Sequence, residues 1–407
     1  MPGVHVHVNA RGRELALLTP AAGIITRTAL HDSVFLVIVV VLSCLPYLWG
    51  LGLYSDDWAL LSELHNAGGS FRRMWDALAP MGITTRPVQG LVLMVLYALF
   101  ELEPLGYHIV NTAVLAAAVV LFYLSLRVLG LSRTIAVVVP VVFALLPHYS
   151  TDRFWIAAFQ ANVSVFLYFL SLYADLRFVT GAAARRWLWK ALGTIAMVGS
   201  VLAYEVTALL FPLNVLALWY VARGRRHESF LPRPGRSVLG AASNVLFLGL
   251  AVGYKLTTTE RADVSGGYGW RALRIVREAV PVHFGEFGLA LPVKVVRVLR
   301  DDPNALILAV SVLVGLAVCA YLLLVVRPTQ ARFDRHVSWL AVLLAGVILF
   351  VAGYGVSLTT YEIGFHTTGT NNRTAIGPAI GVSWVLAGAI GWITSRLPSE
   401  RLRWSFF

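Results

Sequence analysis

Ser33–Leu53, SVFLVIVVVLSCLPYLWGLGL, decides the fold class. No Asp, Glu, Lys or Arg interrupts it, and about 20 such residues cross the roughly 30 Å hydrocarbon core of a bilayer as a helix. Asn304–Val326 and Thr374–Ile393 read the same way. Inside lipid only helices and closed barrels satisfy their own backbone, and continuous apolar runs, rather than short alternating ones, select helices. The whole chain agrees: 58% of its residues are hydrophobic and 13% charged, against about 25% charged in soluble domains. Too few charges remain to clothe a water-exposed surface, which excludes a soluble globular enzyme.

The expected fold is therefore all-α and integral to a membrane, with about ten spans of the required length. They lie near 33–53, 107–126, 134–148, 155–175, 187–203, 206–222, 237–254, 304–326, 338–357 and 374–393. Residues 1–32 form an N-terminal segment, 33–395 one transmembrane domain, and 396–407 a tail. The N-terminal segment carries Arg11, Arg13 and Arg27, and no small-residue cleavage site follows the first span, so it reads as a retained helix. Cys44 and Cys319 lie within apolar spans, far from any Cys-x-x-Cys spacing, and read as small core residues.

Charge sets the orientation. The net charge of +12 sits at the ends of spans, where it orients a membrane protein and gives no nucleic-acid face. Arg127 and Arg133 flank one connection; Arg177, Arg185, Arg186 and Lys190 the next alternate one; Arg223, Arg225, Arg226, Arg233 and Arg236 a third; and Arg327, Arg332 and Arg335 a fourth. With Arg396, Arg401 and Arg403 in the tail, every second connection is basic, which places both termini in the cytoplasm of a multi-pass plasma-membrane protein. Pro87–Leu102 is apolar enough to cross, but crossing would invert all later basic loops. It is expected as an amphipathic helix at the interface, within a first extracytoplasmic loop over 54–106. A second long loop, 257–303, carries Arg271, Arg274 and Arg277, then Lys294, Arg297 and Arg300. Three-residue spacing puts each set on one helix face, either gripping lipid headgroups or lining a site for an anionic lipid.

Nearly all polar residues that need explaining then fall on the extracytoplasmic side. Tyr54-Ser55-Asp56-Asp57-Trp58 follows the first span directly. The pair is either a helix cap before Trp58–Leu64 or a general base or metal ligand. Arg86 ends the first loop, His108 and Asn111 open the second span, and His148, Asp152 and Arg153 lie between the third and fourth. Tyr204 and Glu205 interrupt an apolar stretch, and Tyr361, Glu362, His366, Asn371, Asn372 and Arg373 occupy the last outer loop. A carboxylate in the position of Glu205 needs a cation or a wet cavity, and pairing with an arginine is the plainest answer. No His-Glu-x-x-His, Gly-x-Ser-x-Gly or phosphate-loop pattern occurs, so hydrolase and nucleotide-driven pump readings lack their signals.

This arrangement resembles the C-type (GT-C) membrane glycosyltransferases, among them the protein O-mannosyltransferases and bacterial enzymes that use polyprenyl-phosphate sugars. The resemblance rests on Asp56-Asp57, on Thr85-Arg86-Pro87 leading to Pro104–Asn111, on His148–Asp152, and on Ala203-Tyr204-Glu205 through Pro212. It covers roughly residues 33–215. Pro147 precedes the histidine where the family's proline follows it, and Tyr204 stands where a lysine is usual. The resemblance implies transfer of a sugar from a polyprenyl-phosphate donor to a glycan, lipid or protein acceptor, with inversion at the anomeric carbon. Asp56 or Asp57 would be the general base. Arg373, then Arg153 and Arg86, would hold the leaving phosphate. His108, Asn111, His148, Asp152, Tyr204, Glu205 and His366 would support the site or the acceptor. The chemistry requires no cofactor, and Asp56 and Asp57 would be the ligands of a divalent cation if one takes part. The competing readings are a transporter or flippase for a lipid-linked or anionic substrate, and a non-catalytic scaffold derived from a glycosyltransferase.

Overall fold

The computed structural model describes residues 27–48, 51–181, 183–224, 234–258, 267–301, 304–327, 338–358, 370–399 and 402–403. Among them there are helices and no strand. The chain opens on α1 (Arg27–Leu48), then makes the short α2 (Asp56–Asn66), α3 (Phe71–Leu78) and α4 (Pro87–Phe100). The long α5 (Pro104–Val128), α6 (Arg133–Leu145), α7 (Phe159–Thr180) and α8 (Arg186–Ala203) follow. After α9 (Phe211–Gly224) come α10 (Pro234–Thr258), α11 (Gly267–Val280), α12 (Leu291–Asp301), α13 (Ala305–Tyr321), α14 (Trp339–Gly353) and α15 (Ile376–Ser395).

Six helical stretches are long and apolar enough to cross a bilayer: Arg27–Leu48, Pro104–Val128, Ile156–Thr180, Val238–Thr258, Ala305–Val326 and Asn372–Ser395. Two bent pairs, Arg133–Leu145 with Pro147–Arg153 and Gly267–Leu289 with Leu291–Asp301, raise the figure to eight if each is one span. The chain is thus an all-α protein built for a membrane. The other stretches expected to span are also helical, but α14 has only 15 residues, about 22 Å at 1.5 Å per residue. The first helix begins at Arg27, so its N-terminal turns take in Asp32, which sequence reading left outside the membrane domain.

Packing explains the bundle's core. α5 lies centrally against α1, α6 and α7, while α7–α8 and α14–α15 form the two closest helix pairs. In the latter, backbones touch: a Cβ on Gly381 would lie 2.1 Å from the Phe350 nitrogen, and one on Gly353 2.5 Å from that of Pro378. Helices in lipid gain from such contact because apolar burial alone does not drive them together. The first loop has a second apolar core of its own. Leu60, Leu61 and Leu64 of α2, Met74 and Leu78 of α3, and Leu93 and Met94 of α4 close over Trp155–Phe159 and Ala203. α4 turns Leu91, Val95 and Leu99 outward, and its 14 residues reach only about 21 Å. It packs into a folded cap with α2 and α3.

Two cations read from sequence as flanking charges are buried in the bundle instead. Arg133 forks onto Asp32, with Nη2–Oδ1 at 2.6 Å and Nε–Oδ2 at 3.0 Å, and the Tyr123 and Tyr321 hydroxyls donate to the same carboxylate. Lys190 donates to Asp175 at 2.9 Å and to Asn244 at 2.5 Å. A charge inside a membrane helix is costly unless paired, and these pairs meet that requirement with every carboxylate oxygen bonded.

Candidate functional site at the first-loop end of the bundle

The acidic pair opens α2, with its two carboxylates in different settings. Just before it, Ser55 sits at φ 50°, ψ −117°, a conformation that strains a non-glycine residue and is found where structure around it holds it in place. Asp57 is fully buried, its Oδ1 accepting the Ala157 N–H at 2.7 Å and its Oδ2 those of Tyr54 at 2.9 Å and Ile156 at 3.4 Å. The Ile156 and Ala157 N–H groups open the helical turn that leads into α7, so the carboxylate caps a helix in space rather than in sequence. Asp56 points the other way, exposed, accepting only the Ser55 hydroxyl at 3.2 Å. With the two carboxylates divergent and Asp57 already saturated by N–H donors, the pair does not fit a shared divalent cation. Among the described residues no group of three or more His, Cys, Asp or Glu side chains gathers elsewhere.

Burial pushes the Asp57 carboxyl up from 3.8 to about 6, outweighing the three N–H bonds that favour its charge. The sign follows directly. A carboxyl raised in the folded state adds stability below the unfolded value, and that contribution is lost as pH rises through about 6. Between pH 4 and 6.5 the wild type is expected to lose stability relative to Asp57→Asn. The full difference is on the order of 3 kcal/mol at 1.36 kcal/mol per pH unit. Thermal unfolding of the two purified proteins across that range checks it. Parallel curves would show that Asp57 does not titrate there.

Residues 152–157 tie this cap to the late arginine. The Trp155 ring is fully buried, meets Tyr54 edge-on at 6.2 Å, and carries the Arg373 guanidinium 5.4 Å from its centroid. Arg373 is half-buried and acts electrostatically on Asp152 and Tyr204. Asn111 and Asn162 both donate to the Asp152 carbonyl, at 2.8 and 2.7 Å, and Asn162 also donates to Asn111 at 2.6 Å. That clamp fixes the backbone while the fully buried Asp152 carboxylate keeps both oxygens without a hydrogen-bond partner among the described residues.

Beside it stands a second charged group. Glu205 accepts Arg86 Nη2 at 2.8 Å and Lys255 Nζ at 2.8 Å, and the Arg86 guanidinium lies 4.6 Å from the Tyr204 ring centroid. Two cations share one carboxylate, so the cluster carries net positive charge in a half-buried setting. Between α4 and α7 lies a shallow cleft with room for about one water molecule, lined by Gln89, Val92, Leu93, Ile156, Phe159, Gln160 and Val163. It is apolar except for the two amides.

Other expected site residues are engaged elsewhere. Arg153 donates to the Ala144 and Leu146 carbonyls at 2.6 and 3.0 Å, where α6 breaks and bends by 64°. Its Nη2 is committed to that helix end. His148 packs on His283 with ring centroids 4.7 Å apart, its Nε2 against the His283 carbonyl, and His283 in turn bonds the Tyr354 hydroxyl. His108 is buried against the backbone of Leu51 and Gly52. Tyr361, Glu362 and His366 lie outside the described residues. Lys255, Trp155, Gln160 and His283 belong to the site or its border and were not singled out from sequence. Lys255 had a legible signal, as a lone ammonium within an apolar span.

No known protein family, characterised protein or solved structure matches this chain. What the site does therefore rests on its own geometry.

Proposed function

We propose that the chain is a multi-pass membrane glycosyltransferase of GT-C type, with about ten crossings and its site on the extracytoplasmic face. It would move a sugar from a polyprenyl-phosphate donor to an acceptor hydroxyl. One observation carries the reading: an exposed carboxylate, Asp56, adjoins a residue bonded to Ile156 and Ala157, while Arg373 stacks on the neighbouring Trp155. A base and a phosphate-type cation thus flank one short, rigid segment. In the proposed step Asp56 takes the proton of the acceptor hydroxyl as its oxygen bonds to the anomeric carbon. The bond from that carbon to the phosphate oxygen breaks with its electron pair, and the departing phosphate gains negative charge. Arg373 neutralises that charge, with the Arg86–Lys255 cluster as a second positive pole. Asp57 holds the segment in place and stays outside the transfer step. The buried pairs Asp32–Arg133 and Asp175–Lys190 are closed on themselves, so they support a static bundle more than a transport path.

The test is sugar release from a labelled panel of polyprenyl-phosphate sugars by purified protein. Arg373→Ala is expected to lower turnover on the order of 10²–10³-fold. Arg373→Lys keeps the charge but loses the two-point fork, and should recover only part of it. Equal activity in all three proteins would remove Arg373 from the phosphate, and no release by wild type from any donor would sink the reading itself.

A further inference from the structure

The segment Gly267–Asp301 is the least partnered part of the described chain, and its pattern is specific. It is pinned to the bundle through α11 and the turn after it: Ile275 and Phe284 pack on the main core, Ala279 is buried in it, His283 lies between His148 and Tyr354, and Arg271 donates to the Leu358 carbonyl. Beyond that pin, α11 turns a second apolar stripe outward, Leu273, Val276 and Val280, all exposed. In α12 no residue is buried, and Val296 is 66% exposed. The contacts of α12 are chiefly with the turn just before it. At 100° per residue, Val295, Val296, Val298 and Leu299 share one side of α12, and Lys294, Arg297 and Arg300 the other. Exposed apolar side chains beside a row of cations fit one surface, the headgroup boundary of a bilayer with anionic lipid.

We infer that Gly267–Asp301 is a membrane-docking arm: α12 lies in the headgroup plane with its valines toward the acyl chains, and its cations bind anionic phospholipid. The charge pattern argues for the bulk headgroup phosphate rather than one buried ligand. Lys294, Arg297 and Arg300 form one row along nearly two turns of α12. Arg297 has no ion-pair partner there, while Lys294 and Arg300 reach only the local acids Glu286 and Asp301. The inference stands apart from the proposed chemistry.

The test uses the full chain with Cys44→Ser and Cys319→Ser, and Val296→Cys carrying an environment-sensitive fluorophore. It is reconstituted in nanodiscs of phosphatidylcholine alone or with phosphatidylglycerol. Emission should shift to the blue in the anionic discs, and shallow brominated acyl chains should quench it there. Lys294→Gln, Arg297→Gln and Arg300→Gln together should remove the lipid dependence, each lost charge weakening association roughly fivefold. If that variant does not fold, a rise in salt should reverse the shift in the unaltered arm. Identical emission in both discs would overturn the inference. So would a shift that needs a small fraction of polyprenyl phosphate and ignores phosphatidylglycerol, because the arm would then belong to the donor site.

Discussion

Asp56→Asn is expected to lower sugar transfer on the order of 10²–10⁴-fold while leaving thermal stability within about 0.5 kcal/mol of wild type. Asp57→Asn should act on substrate binding and leave turnover largely intact. The asymmetry follows from where the two carboxylates point. Asp56 is exposed and holds one weak bond from Ser55, so its lone pairs are open to an incoming hydroxyl. An amide there keeps size and polarity but cannot take a proton. Asp57 accepts three backbone N–H groups. An amide can accept on one side only and turns a donor toward the other N–H groups, which disturbs the start of α7. Its effect on turnover should come through binding of donor and acceptor, because the segment under Trp155 shifts. Steady-state kinetics on folded protein separates the two: Asp56→Asn lowers kcat, and Asp57→Asn raises KM. A large kcat loss in Asp57→Asn with unchanged stability would exchange their roles.

The membrane class and the helical stretches were legible because long uncharged runs have one physical solution in lipid. The pairing of Glu205 with an arginine was legible for the same reason, since a carboxylate in that stretch needs a cation. What sequence could not give was direction. Asp56 and Asp57 are chemically alike and adjacent, and it takes the packing of Ile156 and Ala157 onto α2 to bury one and leave the other exposed. Arg153 looks as available as Arg373 in sequence. The break after Leu145 exposes carbonyls that claim Arg153, whereas Arg373 settles on an aromatic face. Arg133 and Lys190 matched the rule that basic residues flank spans, yet each had a buried partner more than ten residues away, Asp32 and Asp175. A charge count treats a flanking arginine and a paired interior one alike.

Asp32→Asn is expected to destabilise the bundle by about 3–5 kcal/mol, the range for breaking one side of a buried ion pair. Arg133 would keep its charge in a site where its side chain is 8% exposed. Its Nη1 bond to the Val325 carbonyl would be its main remaining support of those named here. The Tyr123 and Tyr321 hydroxyls also lose an ionised acceptor, so one substitution loosens α1, α5, α6 and α13 together. Asp32→Leu with Arg133→Leu should cost far less than either alone, since replacing both charges by apolar groups removes the desolvation cost along with the attraction. Unfolding free energies of the singles and the double, measured in bicelles, give the coupling. Additive losses would mean that the pair is screened by water and not buried. The pair lies near the start of α1, whereas the acidic pair follows its end, so the double variant should retain the wild-type KM for donor. Activity retained by the double and lost by the single would show that this pair fixes the bundle's packing and takes no part in the chemistry at the other end.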